Sequence, residues 1–204
     1  MFTKSVYDHL TLCPGGAQFS HNWKANIPYK IKIFTWLVEN GAVLTKDSMV
    51  KRKWLGDPTC VFCDQLETVD HLFFLCPVVK CVWGMIGSCF GAFNTTINHD
   101  QYKQWIARWL PGGQIVHHFG FTAICWATWK CRNKAAFDRK IIQHPAKILI
   151  QAYAFMTYWA GLHSSEFHGK LLDGVKTLLA CAHQALAQQA RVAPMMLAAP
   201  PEEE

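Results

Sequence analysis

Four residues in one short stretch carry side chains suited to a transition metal. Cys60, Cys63, His71 and Cys76 read C-x2-C-x7-H-x4-C within "CVFCDQLETVDHLFFLC". Three thiolates and one imidazole are the soft and borderline donors that tetrahedral zinc takes. The two-residue gap between Cys60 and Cys63 lets a tight turn aim both sulfurs at one ion, and the surrounding "DPTCVFCD" is rich in turn formers. Thr68 stands where it caps a short helix with His71 in its first turn and Cys76 at its end, just before Pro77. Cys81, one helical turn onward, is the rival ligand.

Four protein ligands close the coordination sphere and leave no position for a substrate or an activated water, so the spacing predicts a structural zinc (Zn2+) rather than a catalytic one. Three thiolates and a dication sum to a negative charge, and Asp57, Asp64, Glu67 and Asp70 make the loop more acidic. By its own charge this knuckle is a poor phosphate binder. Cys13, Cys89, Cys125, Cys131 and Cys181 are scattered and expected as small core residues. His117 and His118, adjacent in a helix, point to different faces and are not expected to share a metal.

The elements that must position the knuckle read as helices punctuated by Gly, Pro and Thr. Pro28 opens a helix in which Ile31, Phe34, Leu37 and Val38 recur at helical spacing, and Gly41 ends it. Thr45 is the expected N-cap of a helix running to Trp54, Pro77 opens the next, and Asp100 is expected to cap another that "PGG" at 111–113 stops. A long aromatic helix follows over 114–137, then one from Pro145 to Gly161, and a last from Lys170 to Ala190. The fold class is therefore mostly α: a single helical domain built around a CCHC zinc knuckle. Its parts are an N-terminal helical segment (1–57), the knuckle (58–77), a helical region packed on it (78–193) and a disordered acidic tail (194–204).

With 51% hydrophobic and 13% aromatic residues the chain can fill a sizeable core. The formal charge is +6, and setting aside Glu202, Glu203 and Glu204 leaves +9, which invites an acidic partner. Two basic stretches are candidates for RNA or single-stranded DNA: Lys51, Arg52 and Lys53 ahead of the knuckle, and Lys130, Arg132, Lys134, Arg139 and Lys140 after Trp126 and Trp129. Those tryptophans, at helical spacing with Phe121 and Ile124 nearby, are expected in the core, with the lysines on a solvated face. No apolar run reaches the ~20 residues that cross a bilayer, so no membrane insertion is expected. No secretory signal opens the sequence, and nine cysteines then fit a reducing, intracellular compartment, nucleus or cytoplasm. An acid-free stretch containing Lys24, Lys30 and Lys32 is a weak hint of a mitochondrial presequence.

Around the knuckle, "KRKWLGDPTCVFCDQLETVDHLFFLCPVVKCVW" resembles the zinc-binding domain that follows the reverse transcriptase in plant LINE-type, non-LTR retrotransposons. Upstream, "FTKSVYDHL" and "IPYKIKIFTWLVENGAVLTKDSM" are similar to the F-x-V-K-S-x-Y-x-x-L and P-P-K-x-K-x-F-x-W-L segments of that family. Downstream, "FTAICWATWKCRNKAAFDRK" resembles its W-x-x-W-K-x-R-N-x-x-x-F stretch. The resemblance implies that Cys60, Cys63, His71 and Cys76 are the zinc ligands and that the protein handles nucleic acid. The polymerase's paired aspartates and the carboxylates of a nuclease are not in this sequence. The expectation is a free-standing, retrotransposon-derived protein that is not an enzyme. The competing expectation is a protein-interaction module, its apolar helix faces recruiting a host protein or a second copy, as a selfish or cytotoxic factor would.

Overall fold

The computed structural model describes residues 26–89, 96–109, 114–163 and 165–197. The "FTKSVYDHL" segment, Cys13 and residues 198–204 of the expected tail lie outside them. Among the described residues the chain is helical, and the one pairing of extended backbone is an isolated antiparallel bridge between Thr59 and Leu66.

Helix α1, Tyr29–Glu39, begins after Pro28 and buries Ile31, Phe34, Thr35 and Val38, the face its apolar spacing predicts. Gly41, at φ 62°, turns the chain away from its end. Helix α2, Lys46–Lys51, is shorter than expected. Lys53, at φ 67°, occupies the left-handed position after the helix, and Trp54 N–H closes the turn on the Met49 carbonyl at 3.1 Å. Thr45 precedes α2, but its hydroxyl turns to the Asp47 carboxylate and caps no backbone amide. The Glu67 carboxylate takes the Lys46 N–H instead, at 3.0 Å.

Helices α3, Pro77–Cys89, and α4, His99–Trp109, follow. The cap of α4 is Asn98 rather than Asp100: Asn98 Oδ1 accepts the Gln101 N–H at 2.9 Å, and Gln101 Oε1 reaches back to the Ile97 N–H at 3.2 Å. Helices α5, Gln114–Asp138, α6, Ala146–Ala160, and α7, Ser165–Leu197, pack in sequence as neighbours, and α7 also returns to α3. No helix among the described residues is long and apolar enough to cross a membrane.

Aromatic rings fill the junction of these helices. Phe74, Trp83 and Phe121 stack with centroids 6.0–6.3 Å apart, and Tyr102 lies 4.8 Å from Phe121. Phe34 of α1 meets Phe73 at 6.0 Å and Trp126 of α5 at 4.9 Å. Cys125 and Cys131 are buried as expected of small core residues. Cys89 is instead disulfide-bonded.

Glu39, at the end of α1, sits beside two imidazoles: its Oε1 is 3.5 Å from His99 Nε2 and 3.9 Å from His118 Nδ1. Burial pushes the Glu39 carboxyl up to about 7, against a smaller opposing pull from Lys103. Burial also lowers His99 to about 4, helped by Lys103. Between about pH 4 and pH 7 the Glu39–His99 contact is one between largely uncharged groups rather than an ion pair.

Candidate metal centre

The knuckle begins with a carboxylate that shapes the backbone. Asp57 accepts the Thr59 N–H at 2.9 Å and the Thr59 hydroxyl at 2.7 Å, which holds its carboxyl below the usual range. Lys46 Nζ donates to the Thr59 carbonyl at 2.6 Å and ties this turn to α2. Cys60 N–H then bonds the Gln65 carbonyl and Cys63 N–H the Cys60 carbonyl, closing the turn that carries the first two thiols.

The second half of the site is a π turn, His71–Leu75. Thr68 Oγ1 accepts the His71 N–H at 3.0 Å, the capping expected from sequence. Cys76 N–H bonds the His71 carbonyl at 2.7 Å, an i→i+5 link. Residues five apart in an α-helix are about 140° apart around the axis. The wider turn brings His71 and Cys76 back to one side. Between these ligands, Leu72, Phe73 and Phe74 are all buried in the core, so the same five residues grip the metal site and the protein interior. Trp83 Nε1 donates to the Phe73 carbonyl at 2.8 Å and satisfies a group that the irregular turn displaces.

The ligand atoms of Cys60, Cys63, His71 and Cys76 all lie within 4.8 Å of one another. Cys63 Sγ is 3.9 Å from Cys76 Sγ and 3.2 Å from His71 Nε2. Two sulfurs bound at about 2.3 Å to a tetrahedral zinc lie about 3.8 Å apart, and a sulfur and an imidazole nitrogen about 3.5 Å. The donor set fits zinc in kind and in spacing. Cys81 is exposed and outside the group, which resolves the rivalry for the fourth position. Crowding of the thiols also marks the site. A hydrogen bond from Cys76 draws Cys60 down to about 5, while the same bond pushes Cys76 up. A dication relieves that conflict by holding all three as thiolates.

Residues 2–83 match the family model described as zinc-binding in reverse transcriptase. Over these residues the chain is similar to that zinc-binding family. The Arabidopsis thaliana protein named "Putative ribonuclease H protein" is 31% identical over 86 residues, which cover 39% of this chain and 14% of that protein. The chain thus spans a small part of the curated relative it matches. Both likenesses are consistent with a plant retrotransposon-derived protein. No solved structure matches the chain.

The basic candidates divide on inspection. Lys51, Arg52, Lys53, Lys130, Lys134, Arg139 and Lys140 are exposed, and Lys51 pairs with Asp47 at 3.1 Å. Arg132 does not join them. It is buried, with Nε 3.1 Å from both Glu67 oxygens and Nη2 2.6 Å from Oε1. A guanidinium committed to a buried carboxylate offers no donors to a phosphate, so Arg132 is removed from the nucleic-acid set. Glu67, expected to add negative charge to the knuckle surface, is fully buried and neutralised by this pair.

Of the exposed aromatics among the described residues, which include Tyr29 and Tyr158, two stand beside the basic runs, a placement the sequence reading did not single out. Trp54 directly follows Lys53 and is 41% exposed, and Phe137 stands two residues before Arg139 and is 75% exposed. The available signal was their position beside, rather than within, the apolar helical stripe.

Proposed function

We propose that this region is a non-catalytic nucleic-acid-binding element whose zinc fixes the relative placement of two basic, aromatic-tipped helix ends. The observation that carries this reading is the pairing of exposed cations with exposed rings at both ends: Lys51, Arg52 and Lys53 with Trp54, and Arg139 and Lys140 with Phe137. Cations neutralise phosphates and rings accept stacked bases, a combination suited to unpaired strands of mixed sequence. Glu67 supports the same reading. It caps the start of α2 and clamps Arg132 in α5, so the knuckle loop joins the two helices that carry the basic runs.

Zinc, when bound, supplies a cross-link; its four-ligand sphere holds no position for a reacting group. Lys53 and Arg139 are both non-glycine residues at positive φ, 67° and 55°. Such positions ordinarily favour glycine, and long basic side chains there are consistent with a use outside the fold.

Binding of a labelled single-stranded oligonucleotide across a salt series tests the proposal. Affinity should fall steeply with salt, and replacing Lys51, Arg52 and Lys53 together by Gln should flatten the slope by about 2 through loss of up to three phosphate contacts. Absence of binding at low salt would overturn it.

A further inference from the structure

An open cleft of about 410 Å³ lies between α1 and α5, a size within the roughly 300–1,000 Å³ of small-ligand sites. Phe34, Trp126 and Trp129 give it aromatic walls, Ile33 and Leu44 form an exposed apolar mouth, and Lys30 and Lys130 stand at its rim with Asn133. No acidic residue lines it. A flat, partly apolar and anionic occupant matches this lining.

We infer that this cleft receives one unpaired nucleotide of a single strand, the base against the tryptophans and the adjoining phosphates at Lys30 and Lys130. This rests on the nucleic-acid reading above and deepens it by naming the site and the strand form. Trp129 is braced from one side by the Arg132 guanidinium, 5.1 Å from the ring centroid, and Arg132 is itself fixed by Glu67. The ring is thus held in place before any ligand arrives. Lys30 Nζ lies 5.9 Å from the Trp126 centroid, near the ~6 Å limit of a cation–π contact, a loose hold that a phosphate can outbid. Asn133 Oδ1 accepts from Arg132 Nη1 at 3.0 Å, which orients the amide so that its NH2 is the group left for a base carbonyl.

A base in a duplex cannot enter such a cleft without being pulled from its stack, so the site should discriminate strand form. The full chain, loaded with zinc, is titrated with a single-stranded oligonucleotide and with a hairpin duplex of the same length, and a 4-thiouridine oligonucleotide is photocrosslinked to it. Single strand should bind about tenfold or more tighter than duplex, and crosslinks should map to the peptides holding Trp126, Trp129 or Phe34. Ile33→Glu places a carboxylate at the exposed mouth and should abolish that preference while zinc content and thermal melting stay unchanged. Ile33→Gln, without the charge, should retain most of it. Equal affinity for both strand forms, or crosslinks confined to Trp54 and Phe137, would overturn the cleft assignment and leave the basic-surface reading standing. Binding of oleate that is lost in Ile33→Glu, alongside oligonucleotide binding that is not, would reassign the cleft to a fatty anion. Failure of every oligonucleotide to bind at low salt would overturn both readings.

Discussion

Glu67 and Glu39 are both carboxylates withdrawn from water, and their surroundings treat them in opposite ways. Glu67 meets a guanidinium through both its oxygens and caps a helix amide besides. Glu39 faces two imidazoles at 3.5 and 3.9 Å, and burial raises its carboxyl to about 7. Around Glu67 a charge is kept and matched, whereas around Glu39 the chain keeps the proton instead. The zinc side of the molecule is thus organised by strong, directional links. The α1–α4 side is organised by packing around groups that stay largely neutral.

The most severe way to break the zinc side is to remove a ligand. Cys63→Ser should abolish the expected one zinc per chain, measured by metal analysis. The loss of a structural zinc, worth about 10 kcal/mol or more in small fingers, should unfold the knuckle and release α2 from α5. Native-like chemical shifts for Glu67 and Arg132 in the metal-free variant would contradict this. Next comes Glu67→Gln, which leaves a buried guanidinium without its counter-charge. It should cost roughly 3–5 kcal/mol in urea unfolding, far more than a surface pair loses. Trp129, braced by Arg132, should change its indole N–H signal in the same variant.

The Glu39 side should respond to pH rather than to truncation. The folded chain holds the Glu39 proton up to about pH 7 and the unfolded chain only to about 4.5, so this group's contribution is greatest in acid and is lost as pH rises between those values. His99, lowered to about 4 from 6.5, contributes stability that is present above 6.5 and lost as pH falls toward 4. Between about 4.5 and 6.5 the two oppose one another. Glu39→Gln removes one of them, so stability should climb with pH in that window by about 1 kcal/mol per unit more than in the parent chain. Urea midpoints at a series of pH values check this, and an unchanged pH profile would count against it. The smallest effect is expected at Lys53, where glycine relieves the left-handed backbone. Lys53→Gly should raise stability by up to about 1 kcal/mol while weakening oligonucleotide binding.

What was legible in the sequence follows from range. The four candidate metal ligands lie within a single short segment, so their grouping was readable from spacing. Helix bodies were legible because Pro28, Pro77 and Gly41 mark their limits. The Glu67–Arg132 pair was not, because its members are 65 residues apart and each, taken singly, reads as a surface charge. The same reasoning assigned Glu67 to an acidic rim and Arg132 to a phosphate. Trp126 and Trp129, expected in the core from their helical spacing, pack against it without being fully enclosed by it. Each is half-buried, packed on one side and open to the cleft on another.

The π turn at His71–Leu75 also sets phase. It takes one residue more than an α turn to return to the same side, and Cys76 then adopts the extended geometry demanded before Pro77. Deleting one residue from 72–75 leaves an i,i+4 pair that an ordinary helix already brings together, so the ligands themselves survive the loss. The casualty is the register of the buried residues between them and the start of α3. Chain length in this turn is therefore policed by the hydrophobic core, not by the metal, and insertions or deletions here should segregate by what they do to Phe73 and Phe74.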